Sequence, residues 1–345
     1  MPQTVGSAFD QFRKNVVDLD SEDTKKARES QDYLFDQIKR LARNNSNFPK
    51  IESGNPFMNF GSFARKTKIR PLDDIDFLVI LDRSNTAVEI NSLYPYTYNL
   101  KFIKPSIYFA STLPSMTLEQ FADSSGYINS TRLLNRIKVD LSSVTNYKEA
   151  DSHKMESAVT FKLKSYSWNY DIVPAIRVYD IFGNTAYFLI PDGKGYWIAT
   201  NPRLDNFSTT AVNRKYEGSF LGILRLLKYW NGIPYHKQRL PSYYFETLVI
   251  KVFERIPRIS NLPQAVKVFF DICPFYLKLP CPDPKNLGPN LDAKVDELCK
   301  ENVIKAMKSA SISAEEALRY ESSSNHKYAI ERWQRIFGYK FPNYG

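Results

Sequence analysis

Two aspartates, Asp74 and Asp76, stand one residue apart at the head of an otherwise apolar run, Asp74-Ile75-Asp76-Phe77-Leu78-Val79-Ile80-Leu81. A run of this kind reads as a strand buried on both faces. Alternate side chains of a strand share a face, so both carboxylates point the same way. Adjacent carboxylates repel unless a cation sits between them. A divalent ion such as Mg²⁺ takes oxygen ligands of this type together with substrate phosphates. Asp73 faces the other way by the same parity and is left out of the set. A third acid, Asp171, lies in a second apolar run, Trp168-Asn169-Tyr170-Asp171-Ile172-Val173. An isolated carboxylate there is expensive to bury unless it is paired or metal-bound. If the two strands are neighbours, three carboxylates converge and can hold two metals about 4 Å apart, the arrangement used for in-line phosphoryl displacement. The plain alternative is a set of solvated acids at strand ends.

Eleven residues separate a Gly61-Ser62 pair from Asp74. Glycine lets backbone approach a phosphate closely, exposed N–H groups of a tight turn attract anions, and the serine hydroxyl can donate to a phosphate oxygen. Alone the pair is an ordinary turn; its interest is its distance from the acids. Arg65, Lys66, Lys68 and Arg70 add positive charge to the intervening segment, which equally describes a basic exposed loop.

The elements that must position these residues can be read from periodicity. Phe9, Phe12, Val16 and Val17 predict a short helix over 8–18, and Ala27, Leu34, Ile38 and Leu41 a long one from about 21 to 44. Phe57–Phe60 reads as a strand end before the Gly-Ser turn. Further strands are expected over Glu156–Leu163, over Trp168–Val173 closed by Pro174, and over Tyr187–Ile190. From about Arg203 onward the pattern is helical. Leu221, Leu224, Leu227 and Lys228 share one helix; Tyr244, Leu248, Val249 and Val252 share the next. Proline-bearing breaks follow at Pro257, Pro263, Pro280–Pro284 and Pro289, then helices near 293–308 and 313–337. The expected architecture is α+β: a mixed-sheet core with helices over 1–205 and a helical lobe over 206–345.

The 345 residues are enough for one large or two ordinary domains, and 43% hydrophobic with 24% charged residues excludes a disordered chain. A formal charge of +10 favours anionic partners such as nucleotides, nucleic acid or acidic membrane, without choosing among them. Three cysteines (Cys273, Cys281, Cys299) and three histidines (His153, His236, His326) form no zinc-type spacing. Sparse cysteine, no apolar leader and no run long enough to span a bilayer predict a soluble cytoplasmic protein without membrane association.

Gly61-Ser62, eleven residues, then Asp74-Ile75-Asp76-Phe77 resembles the signature of the DNA polymerase β-like nucleotidyltransferase superfamily. With Tyr170-Asp171-Ile172-Val173-Pro174-Ala175, Lys228-Tyr229-Trp230 and Ser242-Tyr243-Tyr244-Phe245-Glu246, the chain resembles the oligoadenylate synthetase and cyclic GMP–AMP synthase-like branch. Bacterial members of that branch are the CD-NTases of anti-phage (CBASS) signalling. The resemblance covers about residues 8–256; the remainder matches only in being helical.

The resemblance implies a polymerase β-like core packed on a helical lobe, with the active site in the cleft between them. It implies template-independent joining of nucleoside triphosphates (ATP and/or GTP, or pyrimidine nucleotides) into a cyclic di- or trinucleotide second messenger, with two Mg²⁺ ions that Mn²⁺ can replace. Asp74, Asp76 and Asp171 would be the metal ligands and Gly61 and Ser62 the holders of the donor triphosphate. Lys228 and Ser242 would contact phosphates, and Tyr243 would stack on the base. Stacking of this kind is worth about 1–3 kcal/mol per base. No Cys/His cluster matches the zinc insertion with which animal cyclic GMP–AMP synthases sense DNA, so a nucleic-acid activator has no support and a regulatory protein partner is unassigned. Two other acceptor chemistries share the metal site: extension of RNA 3′ ends, and toxin-type nucleotidylation of protein or tRNA.

Overall fold

A computed structural model describes residues 1–104, 117–142, 154–155, 157–162, 166–233 and 238–345. The chain forms two compact units. One comprises Ser21–Ala64 and Leu72–Arg203; the other comprises Met1–Asp20, Arg65–Pro71 and Leu204–Gly345. The first twenty residues, grouped by the sequence with the core, therefore belong to the helical unit.

The helical unit opens with α1 (Val5–Phe12), capped by the Thr4 side chain on the Ser7 amide. A π-helical turn, Arg13–Val17, follows, so the expected single helix over 8–18 starts earlier and changes its winding midway. The sheet unit begins with α2 (Ser21–Asn44), which buries Ala27, Ser30, Gln31, Leu34 and Ile38 along one stripe. Phe35 of α2 stacks on Phe57 at 4.2 Å and meets Phe77 edge-on at 4.8 Å, which fixes the helix over the start of the sheet.

The sheet strands are β1 (Phe57–Phe60), β2 (Asp74–Leu81), β3 (Thr86–Ile90), β4 (Thr97–Phe102), β5 (Lys154–Met155), β6 (Ala158–Lys162), β7 (Asn169–Tyr179), β8 (Thr185–Pro191) and β9 (Trp197–Thr200). They form one sheet in the order β1-β2-β7-β8-β9-β4-β3, with β6 also pairing β7 and β5 pairing β6. The β2/β7 pair is parallel; its neighbours are antiparallel, so the sheet is mixed as expected. Leu78, Ile80, Val173, Ala175 and Phe188 form an apolar cluster on one face. Helices α3 (Gly61–Ala64) and α4 (Ser130–Ser142) complete the unit.

Two readings are corrected here. Pro174 does not close its strand: β7 runs on to Tyr179. On one edge β6 pairs only as far as Ile172, and β8 pairs only from Ile176. Pro174, which has no N–H to donate, occupies the gap where that edge passes from one partner to the next. The strand expected over Glu156–Leu163 is β6 alone, and residues 156 and 163 lie outside the described set. Strands β3, β4, β9 and helix α4 carry no sequence expectation.

In the helical unit α5 (Pro202–Lys215), α6 (Phe220–Gly232), α7 (Ser242–Arg255) and α8 (Leu262–Tyr276) lead to α9 (Glu297–Ser322) and α10 (His326–Phe337). Pro263 begins α8 rather than breaking the chain, a position where a missing N–H has no helical partner to lose. The last two helices divide at Ser323–Asn325, not near 308–313, because Ala310, Ala314 and Ala317 continue the buried stripe of α9. Phe9 meets Trp333, Phe337 and Phe341 edge-on, tying α1 to α10 and the end of the chain.

The segment Arg65–Pro71 is held firmly to this unit. Arg225 donates to the Lys66 carbonyl at 2.8 Å, the Arg70 amide to the Val17 carbonyl at 3.0 Å, and Arg70 Nε to the Asp18 carbonyl.

Candidate active site

Strand register brings the acids together. In the parallel β2/β7 pair Asp76 lies opposite Asp171 and Asp74 opposite Asn169. One carboxylate oxygen from each of Asp74, Asp76 and Asp171 lies within 4.8 Å of the others, and each residue is half-buried. Among the described residues this is the only such group of His, Cys, Asp and Glu. Asp73, one residue before the strand, is exposed and outside it. Asp171 is oriented by Thr160 of β6, whose hydroxyl donates to Asp171 Oδ1 at 2.6 Å.

Gly61 has a second reason for being glycine. Antiparallel pairing sets Phe60 opposite Asp76, so the next residue crosses directly beside that carboxylate. A Cβ at Gly61 would stand 1.9 Å from Asp76 Oδ2, and φ is +73°. A side chain is excluded by both contact and backbone conformation. Gly61 and Ser62 open α3, a single helical turn rather than the expected plain turn.

In the helical unit Lys228 of α6 is buried and donates to Glu246 Oε1 of α7 at 2.5 Å. Glu246 Oε2 accepts from Arg65 Nη2 and from Thr67 Oγ1, each at 3.1 Å. Burial lowers the affinity of Lys228 for its proton, and Glu246 only partly restores it. Burial works to raise the Glu246 carboxyl, but Lys228 and Arg65 beside it hold it below the usual carboxylate range.

Ser242 is exposed at the first turn of α7. Tyr243, half-buried, donates to Asp205 Oδ1 at 2.6 Å, and Lys285 donates to its hydroxyl at 2.5 Å. The Lys285 ammonium lies 4.1 Å from the ring centroid, at the hydroxyl end of the ring. Burial first, then Asp205, pushes the Tyr243 phenol upward. Tyr243, Asp205, Thr209, Arg65 and Glu246 border a cavity of about 250 Å³ within this unit.

Sequence reasoning missed Thr160, Glu246 as a hub, Asp205 and Lys285. Glu246 was visible as the end of the Ser242–Glu246 motif; Lys285 sits in a proline-rich stretch with no periodicity to mark it. No helix of the described residues is long and apolar enough to cross a membrane.

No protein-family model matches the chain. A probable cyclic nucleotide synthase of Bacillus cereus (strain VD146) is 35% identical over 344 residues, covering 100% of this chain and 99% of that protein. Among solved structures, CdnC of E. coli MS115-1 with ATP superposes with a TM-score of 0.68 at 18% identity, covering 98% of this chain and 99% of CdnC. The same CdnC is also known in complex with HORMA-deltaN. The Vibrio cholerae cyclic AMP-GMP synthase DncV, bound to a linear pppA(3′,5′)pG intermediate, gives a TM-score of 0.65 at 11% identity over 99% of this chain and 97% of DncV. These two likenesses establish the fold, a nucleotidyltransferase core of polymerase β type. By its full-length identity to the Bacillus relative, the chain belongs to the cyclic nucleotide synthases, the bacterial CD-NTase family of nucleotidyltransferases.

Proposed function

We propose that this chain joins nucleoside triphosphates, ATP and/or GTP, into a cyclic di- or trinucleotide, releasing pyrophosphate, and that the product is a cytoplasmic second messenger of anti-phage defence. The observation that carries the reading is the convergence of Asp74, Asp76 and Asp171 beside a glycine that has no room for a side chain. The donor set is entirely anionic oxygen, which fits Mg²⁺, with Mn²⁺ as a substitute. Two such ions, when bound, supply a lowered pKa at the attacking hydroxyl and screening of the triphosphate charge.

The chain's own residues do the rest. Asp74, Asp76 and Asp171 fix where the charge is held, and Thr160 keeps Asp171 from rotating. Gly61 and Ser62 are assigned to the donor triphosphate, Lys228 and Ser242 to phosphate contacts, and Tyr243 to stacking on a base.

The test is incubation with all four ribonucleoside triphosphates and Mg²⁺ or Mn²⁺, then phosphatase treatment and mass spectrometry. A phosphatase-resistant di- or trinucleotide is the expected product, and the four-nucleotide mixture reports base choice, pyrimidines included. Long tails on added RNA, or label transferred to protein or tRNA with no small product, would overturn the reading.

A further inference from the structure

Glu246 has no task in that scheme, yet it is bonded on every side. It sits in α7 with buried neighbours Tyr244, Phe245, Thr247, Leu248 and Val249. Its side chain is 4% exposed, those of Lys228 and Arg65 8% each. One carboxylate thus faces two cations in a site nearly closed to water, leaving one positive charge in surplus. Stability does not account for this arrangement, since well-packed apolar residues generally serve a buried position as well as an ion network or better. A surplus buried cation is instead suited to an anion brought in from outside.

The geometry shows where the surplus is offered. Arg65 uses one Nη on Glu246; its Nε and other Nη have no hydrogen-bond partner among the described residues. Arg65 borders the cavity that Tyr243 also lines, together with Lys251 and the carboxylates Asp205, Glu254 and Asp283. Lys228 is held on one side by Oε1, so Glu246 keeps as an ammonium a lysine that burial tends to discharge.

We infer that Glu246 is a positioning residue: by pairing with Lys228 and Arg65 together it holds an ammonium and a guanidinium ready for the anionic part of the nucleotide, and it makes Arg65 a further phosphate-contacting residue. The inference rests on the assignment of Lys228 and Tyr243 to the nucleotide.

The test uses the full-length chain, with KM and kcat for ATP and GTP followed by pyrophosphate release across pH, and melting curves to monitor the fold. Glu246→Gln keeps the shape and removes the charge. Its KM is expected to rise about tenfold with a much smaller change in kcat, the signature of lost binding shared by ground and transition states. The rise should grow with pH. Without the carboxylate, Lys228 faces only Arg65 and Lys68 and loses its proton at a lower pH than in the parent. Adding Lys228→Arg to that variant supplies a cation that does not discharge, so the pH-dependent part of the loss should vanish.

An unchanged KM in a folded Glu246→Gln protein, or a pH dependence that survives Lys228→Arg, overturns the inference. Should Glu246→Gln fail to fold, Arg65→Gln tests the same point with the Lys228–Glu246 pair intact. A several-fold rise in KM at constant kcat supports the inference, and a parental KM overturns it. Failure of the functional reading itself looks different: the parent protein would then consume no nucleotide at all.

Discussion

The two units handle charge in opposite ways. In the sheet unit, three carboxylates are placed together: one oxygen of each lies within 4.8 Å of the others, two of them on a strand, β2, that is otherwise apolar. In the helical unit, opposites are buried together, Glu246 between Lys228 and Arg65. The first arrangement is set by backbone periodicity and calls for a cation. The second is set by side chains from α6, α7 and a loop, largely neutralises itself, and leaves a single charge calling for an anion.

The contrast can be broken most forcefully in the sheet. Asp76→Asn removes a charge with almost no change of shape. Pyrophosphate release should fall on the order of a thousandfold or more while melting stays near the parent value, because the lost group would hold metal rather than the fold. Full activity would remove the triad from the reaction. Gly61→Ala comes next. Its methyl would meet the Asp76 carboxylate at 1.9 Å in a left-handed backbone conformation. Denaturant titration should show a loss of about 1–3 kcal/mol, and turnover should fall on the order of a hundredfold through displacement of Asp76. A variant that is less stable but fully active would separate the glycine from the site.

In the helical unit, Tyr243→Ala should raise nucleotide KM about ten- to a hundredfold, as expected for a stacking platform worth about 1–3 kcal/mol. Tyr243→Phe keeps the ring but removes the hydroxyl that joins Asp205 to Lys285. It should cost a few-fold at most, and a loss as large as that of alanine would show that the hydroxyl, not the ring, meets the nucleotide. The smallest expected change is Thr160→Val. Losing one hydrogen bond to Asp171, worth about 1 kcal/mol, should raise the Mg²⁺ concentration for half-maximal activity about fivefold and leave nucleotide KM unmoved.

The difference between the units also explains what could be read from the sequence. The acid site was legible because a strand has period two, so Asp74 and Asp76 announce a shared face without reference to anything distant. Phe57–Phe60, the long helix α2 and the exclusion of Asp73 followed from equally local rules. Pairing of β7 with β2 required only the guess that two apolar, acid-bearing strands are neighbours. Pro174 misled because its tolerance depends on which strand lies on which edge, a property of the sheet and not of the residue. The Glu246 network was hidden for the same reason. Arg65 and Glu246 are far apart in the chain, and no periodicity links a loop arginine to a helix glutamate. Lys285, within a run of prolines, gave no sign that it binds the Tyr243 hydroxyl.

The parallel register of β2 and β7 has a consequence for how the protein comes into being. Asp76 and Asp171 face one another across strands separated by nearly a hundred residues of chain, and parallel pairing cannot be made by a tight turn. Contacts of such separation form slowly, since loop closure precedes any reward. A chain emerging from the ribosome carries its first two acids long before the third arrives. The three-carboxylate group is therefore completed only once β7 has been made, and a chain truncated before Asp171 lacks it.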